Sequence, residues 1–176
     1  KENGEIHFLD EMGLKNNIHH YLRGCSKKGQ TPIITKSGKR LSINMISTIA
    51  NNGKMRFMTY EGSMDRDKFI QFLKQLIKSN FNYPNSNKKK IFLIADNLKV
   101  YHSKKVQEFI ENNKDKMEIF FLPPYSPELN PDELLNQDIK TNALKGKIIK
   151  TNYQLKHHLK SYLFKIQKTP QKAMNY

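Results

Sequence analysis

Residues 91–97 read IFLIADN, and residues 118–140 read EIFFLPPYSPELNPDELLNQDIK. The first is an apolar run, Ile91 to Ala95, that ends on Asp96. A short apolar run of this kind, bounded by polar residues, reads as a buried strand. The second opens on another apolar run, Ile119 to Leu122, within a strand predicted over Glu118 to Leu122. It passes into Pro123-Pro124-Tyr125-Ser126-Pro127. Proline fixes its own backbone and restricts the residue before it, so this segment is a rigid, extended turn. Asn130-Pro131 then supplies a helix cap followed by proline at the first helical position. That places Glu133 in the first turn of a helix. Between the two strands, Ser103 is placed to cap a helix that carries Val106, Phe109 and Ile110 on its inner side.

Upstream, Glu5 to Asp10 reads as a similar short strand, again ending on an acid. Leu41 to Ala50 and Met55 to Tyr60 are two further strands, joined by the tight-turn signal Asn51-Asn52-Gly53. From Asp65 to Ser79 the period changes, and Phe69, Ile70, Phe72, Leu73, Leu76 and Ile77 fall on one helical face. Leu155, Leu159, Leu163 and Ile166 mark a last helix from Thr151 to Ile166, closed by Thr169-Pro170. Residues 13–40 are polar and punctuated by glycine, and read as a loop or hairpin insertion. The order is β-β-β-α-β-α-β-α-α over one domain, 1–176. Three antiparallel strands followed by strand–helix–strand units imply a mixed α/β sheet with helices on both faces.

The chain is long enough for one real core. Lys and Arg number 31 against 16 acids, a net charge of +15, which favours a polyanionic partner such as nucleic acid. A lysine-rich coding bias is the plain alternative. A single cysteine, Cys25, excludes an intrachain disulfide framework, and no Cys/His zinc spacing exists. A reducing, intracellular setting fits. No run of about 18 apolar residues is present. The start, KENGEIHF, is neither a signal peptide nor an initiator methionine, so a piece of a longer protein is expected.

Asp10 and Asp96 sit at the ends of the first and fourth strands. If those strands lie side by side and parallel, both carboxylates emerge at one sheet edge, where open α/β sheets place their ligands. Glu133 can swing over the same edge. Three carboxylates without His or Cys select hard cations, Mg²⁺ or Mn²⁺. Two such ions about 3.5–4 Å apart can stabilise both the attacking and the leaving oxygen of a phosphoryl displacement. Each acid also has a plain structural use. Asp10 could cap a turn with Glu11 solvated, Asp96-Asn97 could form an Asx turn, and Glu133 has capping-box spacing from Asn130. Matching strand ends favour the metal reading when the three are taken together.

FLDEMG from Phe8, IADN followed by His102, and LPPYSPELNPDELLNQDIK resemble the DDE transposases of the mariner superfamily, with the bacterial insertion-sequence group numbered six-thirty as the most similar branch. GQTPII at Gly29 and GKR at Gly38 fit that group too, and the resemblance covers about Ile6 to Leu144. It implies a ribonuclease-H-like fold and carries the catalytic, metal-binding triad onto Asp10, Asp96 and Glu133. Thirty-six residues separate Asp96 from Glu133, close to the mid-thirties spacing of the superfamily, and the NPxE register favours Glu133 over Asp132. The implied activity is metal-dependent cleavage of DNA at transposon ends and transfer of the freed 3′ ends into target DNA, with two Mg²⁺ or Mn²⁺ ions. The implied partners are transposon-end and target DNA, and a second copy in the synaptic complex. The implied setting is the bacterial cytoplasm, at the nucleoid. Two departures stand out. The helix-turn-helix DNA-binding region usual at the N-terminus of relatives is not in this sequence. There is also no tryptophan, with Tyr21 and Leu134 or Leu135 at places where relatives often carry aromatic anchors.

Glu11, Asn97 and His102 stand next to the triad in supporting positions, with His102 placed to orient the scissile phosphate or, more plainly, to help cap the next helix. Arg23, Lys27, Lys28, Lys36, Lys39 and Arg40 give the insertion a positive charge suited to DNA contact. Two rivals remain at this point: a ribonuclease-H-like nuclease that cuts without joining, and a transposase remnant that only binds DNA or protein.

Overall fold

The computed structural model describes residues 4–16, 25–31, 38–81, 89–123 and 126–176. Five strands form one sheet: β1 (Gly4–Lys15), β2 (Ser42–Ala50), β3 (Met55–Tyr60), β4 (Lys90–Ala95) and β5 (Met117–Phe121), in the order β3-β2-β1-β4-β5. The first three are antiparallel neighbours, while β4 pairs parallel with both β1 and β5. The mixed sheet expected from the element order is therefore present, with β1 at its centre.

Helices α1 (Arg66–Phe81) and α2 (Lys104–Glu111) cover one face. Their Phe69, Phe72, Leu73, Leu76 and Val106 pack with Leu9, Ile46, Ile91 and Leu93 from the sheet. Helices α3 (Asp132–Asn142), α4 (Asn152–Gln167) and α5 (Pro170–Met174) lie on the other face. There Leu135, Ile139, Leu155, Leu159 and Leu163 meet Met12, Leu14, Ile43, Met45 and Met55. Each fully buried Leu or Ile stabilises the fold by roughly 1.5–3 kcal/mol relative to leaving it in water.

Strand β1 serves both cores in turn. Glu5, His7 and Leu9 are buried on the α1/α2 side, and Met12 and Leu14 are buried on the α3/α4 side. The α3/α4 face is left partly bare over β1, β4 and β5. Ile6 and Phe120 are 38% and 47% exposed there, and Phe92 leans on Phe120 with ring centroids 6.1 Å apart.

Two boundaries and one capping bond differ from the sequence reading. β1 runs on to Lys15, so residues 13–15 belong to the strand and not to an insertion: Gly13 pairs with Asn44 and Leu14 is fully buried. The segment that leaves β1 is closed at its base by Asn16, whose side-chain amide donates to the Lys39 carbonyl at 2.8 Å while its Oδ1 accepts the Leu41 amide at 3.0 Å. Ser103 sits at the cap position of α2, yet its hydroxyl makes no capping bond; a 3-10 helix, Lys99–His102, leads straight into α2 instead. Pro170 does not merely end a helix. It opens α5, where proline at the first turn costs nothing. α5 lies over the β2–β3 turn so closely that a Cβ on Gly53 would come within 2.3 Å of the Pro170 carbonyl oxygen. Gly53 also has φ +76°, so both space and backbone demand glycine there.

Candidate active site

Parallel pairing of β1 and β4 sets the site. Phe8 is the register partner of Ile94, so two residues further along each strand Asp10 and Asp96 leave the same edge on the same face. Across β1 the partner of Asp10 is Ser47 on β2. The N-terminus of α3 rides over this point. Asn130 fixes it: its Oδ1 accepts the Asp132 amide at 3.1 Å, and its Nδ2 donates to the Leu9 carbonyl at 3.0 Å. Pro131 has helical φ and ψ, so Asn130 works as the cap that the Asn-Pro pair predicts.

α3 then offers two adjacent acids with different fates. Asp132 is fully buried, and both its oxygens accept the Ser47 hydroxyl at 3.1 and 3.0 Å. Burial, together with the nearby Asp10 charge, holds its carboxyl well above the usual range. Glu133 points outward and lines an open groove of about 1060 Å³ together with Phe8, Leu129, Leu134 and Gln137. No capping-box bond to Asn130 holds its side chain among the described residues. Of the two leucines after it, Leu135 is buried against the sheet and Leu134 stays 48% exposed.

Asp10 is anchored at both oxygens. Oδ1 accepts the Glu11 amide at 2.8 Å, and Oδ2 accepts the Asn136 side-chain amide at 2.8 Å. Burial pushes its carboxyl up to about 7, and the charges of Glu133 and Asp96 add to the rise against the opposing pull of those two donors. Asp96 is also raised, by burial first and then by the charges of Glu11 and Glu133, and its Oδ1 is buried with no hydrogen-bond partner. Each pair among Asp10, Asp96 and Glu133 is thus close enough for charge to be felt. Among the described residues, no group of three or more His, Cys, Asp or Glu is drawn together tightly enough to hold a metal as the side chains stand.

The donor set nevertheless fits a hard divalent cation. Three carboxylates converge on one edge, one buried carboxylate oxygen of Asp96 lacks a partner, and burial, with the charges of Glu133 and Asp96, raises Asp10 to about 7, which is the environment a bound cation would relieve.

The neighbours of the triad divide between the two faces. Glu11 points away from Asp10 and accepts the hydroxyls of Tyr60 at 2.8 Å and Tyr101 at 2.5 Å. His102 lies at the exposed end of the 3-10 helix, bonded to Asn97 Oδ1 at 2.5 Å and resting on Phe121 with ring centroids 4.3 Å apart. This pair sits next in the chain to Asp96. Lys27, Lys28, Lys39 and Arg40 are exposed, and Arg23, Lys36 and Tyr21 lie outside the described residues. What sequence reasoning missed is the part played by Ser47 and Asn136, and the tie from Asn130 to the Leu9 carbonyl. The only local signal was the cap at Asn130; Ser47 and Asn136 reach partners 85 and 126 residues away.

No protein of curated function matches the chain in sequence. Among solved structures, the Mos1 transposase paired-end complex with the left transposon end matches with a TM-score of 0.69 at 14% identity, over 98% of this chain and 55% of that one. The catalytic domain of Mos1 mariner transposase matches at 0.61 and 13% identity, over 97% of this chain and 80% of that one. The simian T-cell lymphotropic virus intasome matches at 0.59 and 14% identity, over 90% and 47%. The chain thus spans about half the length of the full Mos1 chain, and at these identities the likeness establishes the fold, which is ribonuclease-H-like. A family model described as DDE superfamily endonuclease matches residues 5–156, running from the start of β1 through the whole carboxylate edge into α4. With most of its length inside that match, the chain belongs to the DDE superfamily of endonucleases.

Proposed function

We propose that this chain is the catalytic domain of a DNA transposase of the mariner superfamily, in the bacterial insertion-sequence six-thirty branch. It cuts DNA at the ends of a mobile element and joins the freed 3′ ends to target DNA. The observation that carries the reading is the pairing of Asp10 and Asp96 on parallel central strands, with Glu133 above them and a buried Asp96 oxygen left without a partner. Divalent metal, Mg²⁺ or Mn²⁺, would be held by Asp10, Asp96 and Glu133. When bound it would supply activation of water or a 3′ hydroxyl and neutralise the departing oxygen.

The chain's own residues do the rest. The Glu11 amide and Asn136 aim Asp10 at the ligand position, and Asn130 ties the helix that carries Glu133 to β1. The Asn97–His102 pair can orient a phosphate beside Asp96. Lys27, Lys28, Lys39 and Arg40, with Arg23 and Lys36, supply phosphate contacts that set affinity and not sequence choice. Two copies acting on two ends fit the reaction. Mos1 structures described as paired-end complexes with Mn and with Mg support metal and DNA as the partners to test first.

Asp96→Asn is the direct test. It should leave the circular-dichroism spectrum and melting temperature within a few degrees of the parent and lower Mn²⁺-dependent nicking of plasmid DNA by at least about a hundredfold, since removal of one metal ligand disables the whole centre. Unchanged nicking would refute the assignment. Strand transfer with pre-cut ends separates a transposase from a nuclease that does not join.

A further inference from the structure

From Ile139 to Tyr176 the sequence holds nine lysines and not one acid, whereas acids and bases are intermixed from Glu61 to Asp138. α1, α2 and α3 each carry acids; α4 and α5 carry none. On α4, Tyr153, His157, Lys160, Ser161 and Phe164, with Lys168 at its C-cap, are spaced so that they gather on one stripe. Leu155, Leu159, Leu163 and Ile166, the buried face, lie on the opposite side.

The stripe has a shape as well as a charge. Tyr153 is 78% exposed and stacks on His157 with ring centroids 6.3 Å apart and planes 19° from parallel. Phe164 is 49% exposed and is propped by the edge of Phe57 at 5.2 Å. A groove of about 640 Å³ runs between His157, Lys160, Phe164, Lys165 and Lys168, and it shares no residue with the groove beside Glu133. Among the described residues, Lys160, Lys165 and Lys168 make no ion pair, whereas Lys172 is committed to Asp138. Sixteen residues of helix extend about 24 Å, the rise of about seven base pairs of duplex.

We propose that the outward face of α4 is a second DNA-contact surface, which holds the sugar-phosphate backbone of duplex DNA away from the carboxylate edge. Lysines free of acid partners neutralise phosphates, and the exposed rings pack on sugars between them. The choice of DNA as the polyanion rests on the transposase reading; the charge and shape of the face do not.

The test is binding of a labelled 20-base-pair duplex of arbitrary sequence, followed by fluorescence anisotropy over a salt series in the presence of chelator. The triple variant Lys160→Gln/Lys165→Gln/Lys168→Gln should weaken affinity by about tenfold or more, and its log–log salt slope should become shallower by about 2 to 3, close to one for each lysine–phosphate pair removed. A control that removes the same charge elsewhere, Lys74→Gln/Lys78→Gln/Lys114→Gln, should change binding far less. The Lys→Arg triple at 160, 165 and 168 should bind as the parent does. Equal weakening in the control, or none in the α4 triple, overturns the proposal. So does polyglutamate that binds this face more tightly than DNA of equal charge, which would mark an acidic protein as the partner. If the parent binds DNA through α4 but never nicks it with Mn²⁺, the catalytic reading fails and this surface stands.

Discussion

Asn136 shows how one side chain tunes the site. It donates to Asp10 Oδ2, while its own Oδ1 is buried without a partner. Asn136→Leu removes the donor and the orphaned acceptor together, so stability should stay close to that of the parent. Mn²⁺ affinity, measured by calorimetric titration, should fall about 10- to 100-fold, as it does when a ligand loses the group that orients it. Asp10 itself makes the metal-free chain sensitive to pH. Its carboxyl is raised to about 7 in the fold and has its ordinary value, 3.8, in the unfolded chain. Between those values the folded state holds the extra proton, so stability falls as pH rises. With chelator present, the melting temperature should be higher at pH 5 than at pH 8, and Asp10→Asn should flatten that difference. A melting temperature that climbs over this interval would contradict the geometry. Asp132 and Glu133 are adjacent acids set apart by their surroundings: Asp132 is turned onto Ser47 in the interior, while Glu133 faces the groove.

Among the helices and strands, α3 matters most, because it carries Glu133 and is braced from behind. Asp138 Oδ2 accepts the hydroxyls of Tyr162 at 2.7 Å and Tyr176 at 2.6 Å and the Lys172 ammonium at 3.0 Å, and Oδ1 accepts the Asn142 amide at 2.8 Å. One carboxylate thereby ties α3 to α4 and to the segment after α5. Burial raises Asp138, but the donors Tyr176, Tyr162, Lys172 and Asn142 outweigh it and hold the carboxyl below its ordinary value. Its contribution is therefore present above the unfolded value and disappears as pH falls through the depressed one. Asp138→Ala should cost about 1–3 kcal/mol in urea unfolding, since it strands several part-buried donors. Boundaries were readable where local chemistry is strong. The Asn-Asn-Gly turn, the Asn130 cap and the apolar runs of β4 and β5 all form where the sequence predicts. Where tertiary packing decides, local reading fell short. Gly13 looks like a loop residue because nothing local says that Leu14 will be buried beneath α3 and α4, and Ser103 does stand at the N-cap of α2, but its hydroxyl makes no capping bond there.

Across the molecule, the sheet divides the interior into two cores that share only its backbone. Ile91 belongs to one and Ile139 to the other, and both are fully buried. Ile91→Val and Ile139→Val should each cost about 0.5–1.5 kcal/mol. In the double variant the costs should add to within about 0.5 kcal/mol, because the sites share no partners. A large coupling measured by chemical denaturation would mean that the cores are not independent. The order of elements and the pairing of two acids at one edge were legible because apolar runs, turn residues and strand-end carboxylates are local. The surroundings of Asp10 and Asp132 were not, because Ser47, Asn136 and the reach of Asn130 to the Leu9 carbonyl come together only through the folded sheet and α3. The two faces of β1 carry a further implication. Asp10 and Glu11 are consecutive, yet one is delivered to the carboxylate edge and the other to a pair of tyrosines. A single extra residue between Gly4 and Leu9, if accommodated by sliding the strand, would advance each later residue by one place: Leu9 would stand at the cleft, Asp10 would be marooned among phenols, and Glu11 would fall where Met12 is now buried. The alignment of this strand is thus itself a chemical specification, and a length change there would silence the cleft even if the chain still folded.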